Sequence, residues 1–138
     1  MKKNSVIISL FFFCFSLVIQ AQTLKSVTDI EKKYKDCVAP GYGFIDCSNT
    51  YYDNLDDLLN VAYKKIRSTM TPEQKNALKT EQVKWLAKRD AYFKKLDNQY
   101  FDAMEAGGGD EMERSAAIFD KAEYVKVRVK ELIQRLPK

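Results

Sequence analysis

From Pro72 to Glu105 the chain holds no helix breaker after its first residue. A helix over that stretch is about 50 Å long, and only partners of similar reach can cover such a rod. Its entry signal is strong. Thr71 is the expected cap, Pro72 takes the first helical position and Gln74 completes a capping box. Leu78, Trp85, Leu86, Tyr92, Phe93, Leu96, Tyr100 and Met104 recur at helical spacing, and three glycines at 107–109 end the run.

The flanking segments share this period. Tyr52, Leu55, Leu59, Ala62, Ile66 and Met70 predict a helix capped by Ser48, and the tight connection after Met70 makes it antiparallel to the next. Asp110 is the expected cap of a further helix carrying Met112, Phe119, Ala122, Val125, Val129, Leu132, Ile133 and Leu136 before Pro137. A short polar helix is predicted over 26–36, with Ser26 as its cap and Val27, Ile30 and Tyr34 as a narrow apolar stripe. No strand-like alternation and no internal repeat competes. The predicted class is all-α: an antiparallel helical bundle of three long helices plus a short N-terminal helix.

The first residues read as an export signal. Lys2 and Lys3 precede an apolar run over 6–19, and Ala21 offers a small residue for cleavage. A signal peptide over 1–21 and one helical domain over 22–138 follow. The apolar run is about 14 residues against about 20 for a comfortable span, so no stable membrane span is expected after cleavage; an uncleaved anchor is the alternative. Phe13 before Cys14 argues against a lipid-modified cysteine. The expected location is exported, periplasmic or secreted.

Cleavage would remove Cys14 and leave Cys37 and Cys47, an even pair that predicts a disulfide in an exported protein. Closing a loop of about ten residues contributes about 2–3 kcal/mol. The bridge is expected to hold the first helix more than that helix's own packing does. Between the cysteines, Pro40, Gly41 and Gly43 break the chain, while Val38, Tyr42, Phe44 and Ile45 make the loop apolar. It either folds back over the end of the bundle or stands out as a recognition loop.

Composition narrows the function. The formal charge of +4 includes both signal lysines, which argues against a nucleic-acid binder, as does export. There is no histidine, so the commonest general base and the commonest metal ligand are missing. No nucleophile motif and no converging acids are visible. The chain is read as no enzyme, with no cofactor and no metal; an enzyme ranks third among the classes considered.

Two polar stripes interrupt the apolar faces. Asp56, Leu59, Asn60 and Tyr63 share one face, and Leu78, Gln82, Trp85, Arg89 and Tyr92 share another. Buried polar groups need partners. The two faces are therefore expected to meet in a structural seam of Asp56, Asn60, Tyr63, Gln82, Trp85 and Arg89, with Arg89 pairing with Asp56 or Asp53.

The same residues carry a resemblance. Asp56-x-x-Leu59-Asn60-x-x-Tyr63, followed by Leu78-x-x-x-Gln82-x-x-Trp85-Leu86-x-x-Arg89-Asp90, resembles the signature of the LprI-type lysozyme-inhibitor N-terminal domain family. Cys37 and Cys47 ahead of the first motif, and Arg128-x-x-x-Leu132 in the last helix, are similar too. Many members have a cysteine after the Arg-Asp pair, where this chain has Phe93, and its partner in the last helix, where apolar or charged residues stand near Asp120. The resemblance implies a small exported bacterial helical domain that binds a protein, with lysozyme as the implied partner. The alternative is a non-inhibitory structural or adaptor module of the periplasm or envelope.

A candidate contact lies where the long helix turns back. Tyr100, Phe101, Asp102, Glu105, Asp110 and Glu111 gather around the glycines, an acidic, aromatic-edged tip suited to a cationic protein. Acids at a helix start are also ordinary capping chemistry, and a glycine-rich tip is also an ordinary solvated hinge. The spacing matches no EF-hand calcium loop. The basic residues Lys84, Lys88, Lys94, Lys95, Lys126 and Lys130 are read as solvated faces, with attraction to an anionic surface as the lesser reading.

Overall fold

The computed structural model describes residues 25–136. The expected signal peptide lies outside the described residues. Each periodic segment forms a helix: α1 over 25–38, α2 Phe44–Ser68, α3 Pro72–Glu105 and α4 Glu111–Gln134. Among the described residues there is no strand, so the fold is all-α.

The caps show why two boundaries fall where the sequence places them. Thr71 Oγ1 accepts from Gln74 N at 3.3 Å, and Thr71 N donates to Gln74 Oε1 at 2.9 Å. Asp110 Oδ1 accepts from Glu113 N at 2.9 Å. Two other caps are corrected. Ser26 is already helical. Ser48 is not a cap but a buried residue one turn inside α2, which starts after the left-handed Gly43 (φ +69°). The earlier start places Cys47 inside the helix, within reach of Cys37: their Cα atoms lie 5.8 Å apart and the disulfide is formed.

Small side chains decide which helices lie closest. Ala62 and Ala122 are fully buried, and Ser48 Oγ lies 2.8 Å from Ser115 Oγ, which also donates to the Phe44 carbonyl at 3.0 Å. α2 and α4 therefore make the tightest helix pair. The core is theirs: Leu55, Leu59 and Ile66 of α2 meet Val125, Val129, Leu132 and Ile133 of α4. Each such side chain contributes about 1.5–3 kcal/mol on burial.

α3 gives the core only Leu78 and Leu96 as buried residues. The rest of its inward side is half-buried rings. Trp85 and Tyr92 stack on Tyr124 of α4 at 5.8 and 4.9 Å, and Phe93 meets Tyr52 of α2 edge-on at 5.9 Å. Rings of this size hold α3 further from its neighbours than the alanines and serines hold α2 from α4. Partner pairs set the directions. Residue numbers rise together from Ser48–Ser115 to Tyr51–Glu123, so α2 and α4 are parallel. They run opposite ways from Glu81–Arg135 through Asp97–Lys121 to Tyr100–Gly109, so α3 is antiparallel to α4.

α1 is held by more than its disulfide. Val27 enters the core, Tyr34 stacks on Tyr51 and Phe119 at 4.7 and 5.1 Å, and Glu31 pairs with Lys126 at 2.9 Å. The apolar loop expected after α1 is largely absorbed by helix: Val38 ends α1, while Phe44 and Ile45 open α2. Tyr42 stands 74% exposed. No described helix is long and apolar enough to cross a membrane.

Candidate protein-binding site

The polar stripes form a seam, but between different helices from those expected. Arg128 of α4 is 3% exposed. Its Nε and Nη2 donate to Gln82 Oε1 at 3.1 and 3.0 Å, and its Nη1 donates to Glu81 Oε1 at 2.8 Å and Glu131 Oε2 at 2.9 Å. Its guanidinium also lies 5.9 Å from the centre of the Trp85 ring. Glu81 accepts a further bond from Arg135 at 2.8 Å. The Arg135 bond first, then Arg128, outweigh desolvation and hold the Glu81 carboxyl at about 2. Gln82 and Trp85 thus serve an α3–α4 seam.

The α2 stripe and Arg89 do not cross to each other by hydrogen bonds. Asn60 is exposed and donates to the Asp56 carbonyl at 3.0 Å and its carboxylate at 3.4 Å, both within α2. The Tyr63 hydroxyl accepts from Arg67 at 3.0 Å. Arg89 pairs with neither Asp56 nor Asp53 but with adjacent Asp90, at 2.8 and 2.9 Å, lying over the Trp85 and Phe93 rings. The reason is spacing. The aromatic layer keeps α3 away from α2, and a guanidinium at that distance bonds its own neighbour and stacks on local rings. Tyr52 marks where the flanks approach: burial raises its hydroxyl pKa first, and the Asp56 carboxylate adds to the shift.

A second network fastens α1. Lys126 pairs with Glu31 and with Glu123, and Glu123 accepts from the Tyr51 hydroxyl at 2.7 Å. Burial first, then the bond to Glu123, pushes the Tyr51 hydroxyl well up. Sequence reading missed both networks. The available signal was Arg128 itself, a charge within the apolar stripe of Val125, Val129 and Leu132.

The six tip residues are brought together where α3 meets α4. Tyr100 donates from its hydroxyl to the Gly109 carbonyl at 3.1 Å. The Glu113 carboxylate accepts from Gly109 N, and Asp110 caps α4. Gly109 takes φ +76°, and a Cβ there would run into Met104. The turn is thus braced by side chains. Around it, Phe101, Met104 and Met112 are 57%, 48% and 64% exposed. Asp102, Glu105, Asp110 and Glu111 are exposed beside it. Further back on α3, Asp97 pairs with Lys121 of α4 at 2.5 Å.

Among the described residues, no group of three or more acids or cysteines is placed to hold a metal ion. Fold, bridge and braced tip define a small, disulfide-linked, all-α protein. A family model described as Lysozyme inhibitor LprI matches residues 39–132, and the chain belongs to that family. Neither curated proteins nor solved structures gave a match.

Proposed function

We propose that this chain is an exported, non-enzymatic protein-binding module of one domain over 22–138 that inhibits a lysozyme, and that it docks through the α3–α4 tip. Family membership supports the partner class, and the disulfide is consistent with an oxidising compartment. The observation that carries the site is the exposed trio Phe101, Met104 and Met112 edged by Asp102, Glu105, Asp110 and Glu111 on a braced turn. An apolar centre with a charged rim is how protein contacts are built. The acids would speed encounter with a cationic enzyme.

The test is a bacterial-wall lysis assay with purified protein. Inhibition at near-stoichiometric ratio, weakening as salt rises, is the expected result. Unchanged lysis at all ratios would instead favour the non-inhibitory adaptor module.

A further inference from the structure

Beside the tip lies a groove of about 450 Å³ between the last turns of α3 and the first turns of α4, with Asn49 near the start of α2 at its edge. Its apolar lining includes Phe101, Met104 and Ile118, with the Tyr100 ring and Ala117 beside them, and its polar lining includes the exposed Asn49 and Arg114 together with the Asp97–Lys121 pair. Asp97 and Lys121 neutralise each other. Arg114 has no ion pair or side-chain hydrogen bond among the described residues, and neither has the Asn49 amide. The lining therefore carries one net positive charge against an apolar wall, opposite in sign to the neighbouring tip.

We infer that this groove binds an extended polypeptide segment of a partner, presenting an apolar side chain to Ile118 and Met104 and an adjacent carboxylate to Arg114. The guanidinium fork matches a carboxylate with two parallel hydrogen bonds. The Asn49 amide supplies both a donor and an acceptor for a peptide unit beside it. That polar lining also selects a peptide over an alkyl chain, which needs an unbroken apolar wall. The groove shares Phe101 and Met104 with the proposed tip contact, so the two occupants would compete, but its ligand is anionic where the tip's is cationic, and this inference does not rest on that reading.

The experiment is an array of short acetylated peptides on a serine–alanine background. Each holds one Leu or Phe followed by Glu, Gln or Lys, probed with purified protein and with the Arg114→Gln and Asn49→Ala variants. Circular dichroism and melting curves confirm that the variants fold. Glu peptides should bind about tenfold better than Gln peptides, the worth of one charge-assisted bond. Arg114→Gln should erase that preference, and Asn49→Ala should weaken all peptides alike. Equal binding of Glu and Gln peptides, an unaltered preference in Arg114→Gln, or no peptide binding at all would overturn the proposal. So would competition by laurate that Arg114→Gln abolishes while no peptide binds, because the occupant would then be a lipid.

Discussion

Arg128 donates from both Nε and Nη2 to the side-chain oxygen of Gln82, at 3.1 and 3.0 Å, and so ties α4 to α3 through a side chain that is 3% exposed. Glu81 and Glu131 take its remaining terminal nitrogen. Truncating Arg128 leaves these groups without their cation, so Arg128→Ala should cost about 3–5 kcal/mol. Arg89, paired with exposed Asp90 and stacked on rings, should cost under about 1 kcal/mol when changed to Ala. Urea unfolding of the two variants checks the contrast; equal losses would contradict the placement of the seam.

Glu81 sets part of the acid response. Its carboxyl is held at about 2, below the ordinary 4.5. A carboxylate lowered in the folded state adds stability that is complete above its unfolded value and is lost as pH falls through the folded one. The loss should therefore run from about pH 4.5 down to about 2. Glu31, lowered chiefly by its bond to Lys126, acts in the same direction. The Glu81 side chain is 43% exposed, so solvent screening trims the effect. Glu81→Gln should be less stable at pH 7 and should flatten the decline across this window, as read from denaturant midpoints at stepped pH.

Reducing the Cys37–Cys47 bridge should lower stability by about 2–3 kcal/mol. Because Val27, Tyr34 and Glu31 also hold α1, the helix should stay docked at neutral pH rather than detach. Hydrogen exchange over 25–38 before and after reduction reads this directly. Complete loss of protection there would show that the bridge alone holds α1.

Gly109 should tolerate no side chain. At φ +76° an L-residue costs about 1–2 kcal/mol, and contact with Met104 adds to it. Gly109→Ala should raise exchange across 106–111 while leaving the core protected.

If the tip docks a cationic enzyme, its charges and its apolar centre should act on different rates. Asp102→Asn with Glu105→Gln should slow association and flatten the salt dependence, with dissociation little changed. Phe101→Ala should chiefly speed dissociation. Surface plasmon resonance at two salt concentrations separates the two.

Much of the fold is local and was therefore legible. The Thr71 and Asp110 caps, the glycine stop at 107–109 and the apolar periods of α2, α3 and α4 depend on residues three or four positions apart. The bridge followed from two cysteines in an otherwise cysteine-free segment. The start of α2 was misplaced because Ser48 is a good cap in isolation, whereas its hydroxyl bonds Ser115, 67 positions away. Clustering of the six tip residues was visible because the turn is short; the bracing by Tyr100 and Glu113 and the groove behind it were not.

Sequence alone determined that there would be helices, where most of them end and which faces are apolar, since each depends on neighbours along one turn. It also marked Gln82 and Arg89 as polar interruptions needing partners. Which partners they took was decided only in three dimensions. Ala62, Ala122 and paired serines let α2 and α4 close up, while Trp85, Tyr92, Phe93 and Tyr124 held α3 away. Side-chain volume at helix contacts sets interhelical distance, and hydrogen bonds end within about 3.2 Å. Gln82 therefore met Arg128 of α4, and Arg89 stayed with Asp90.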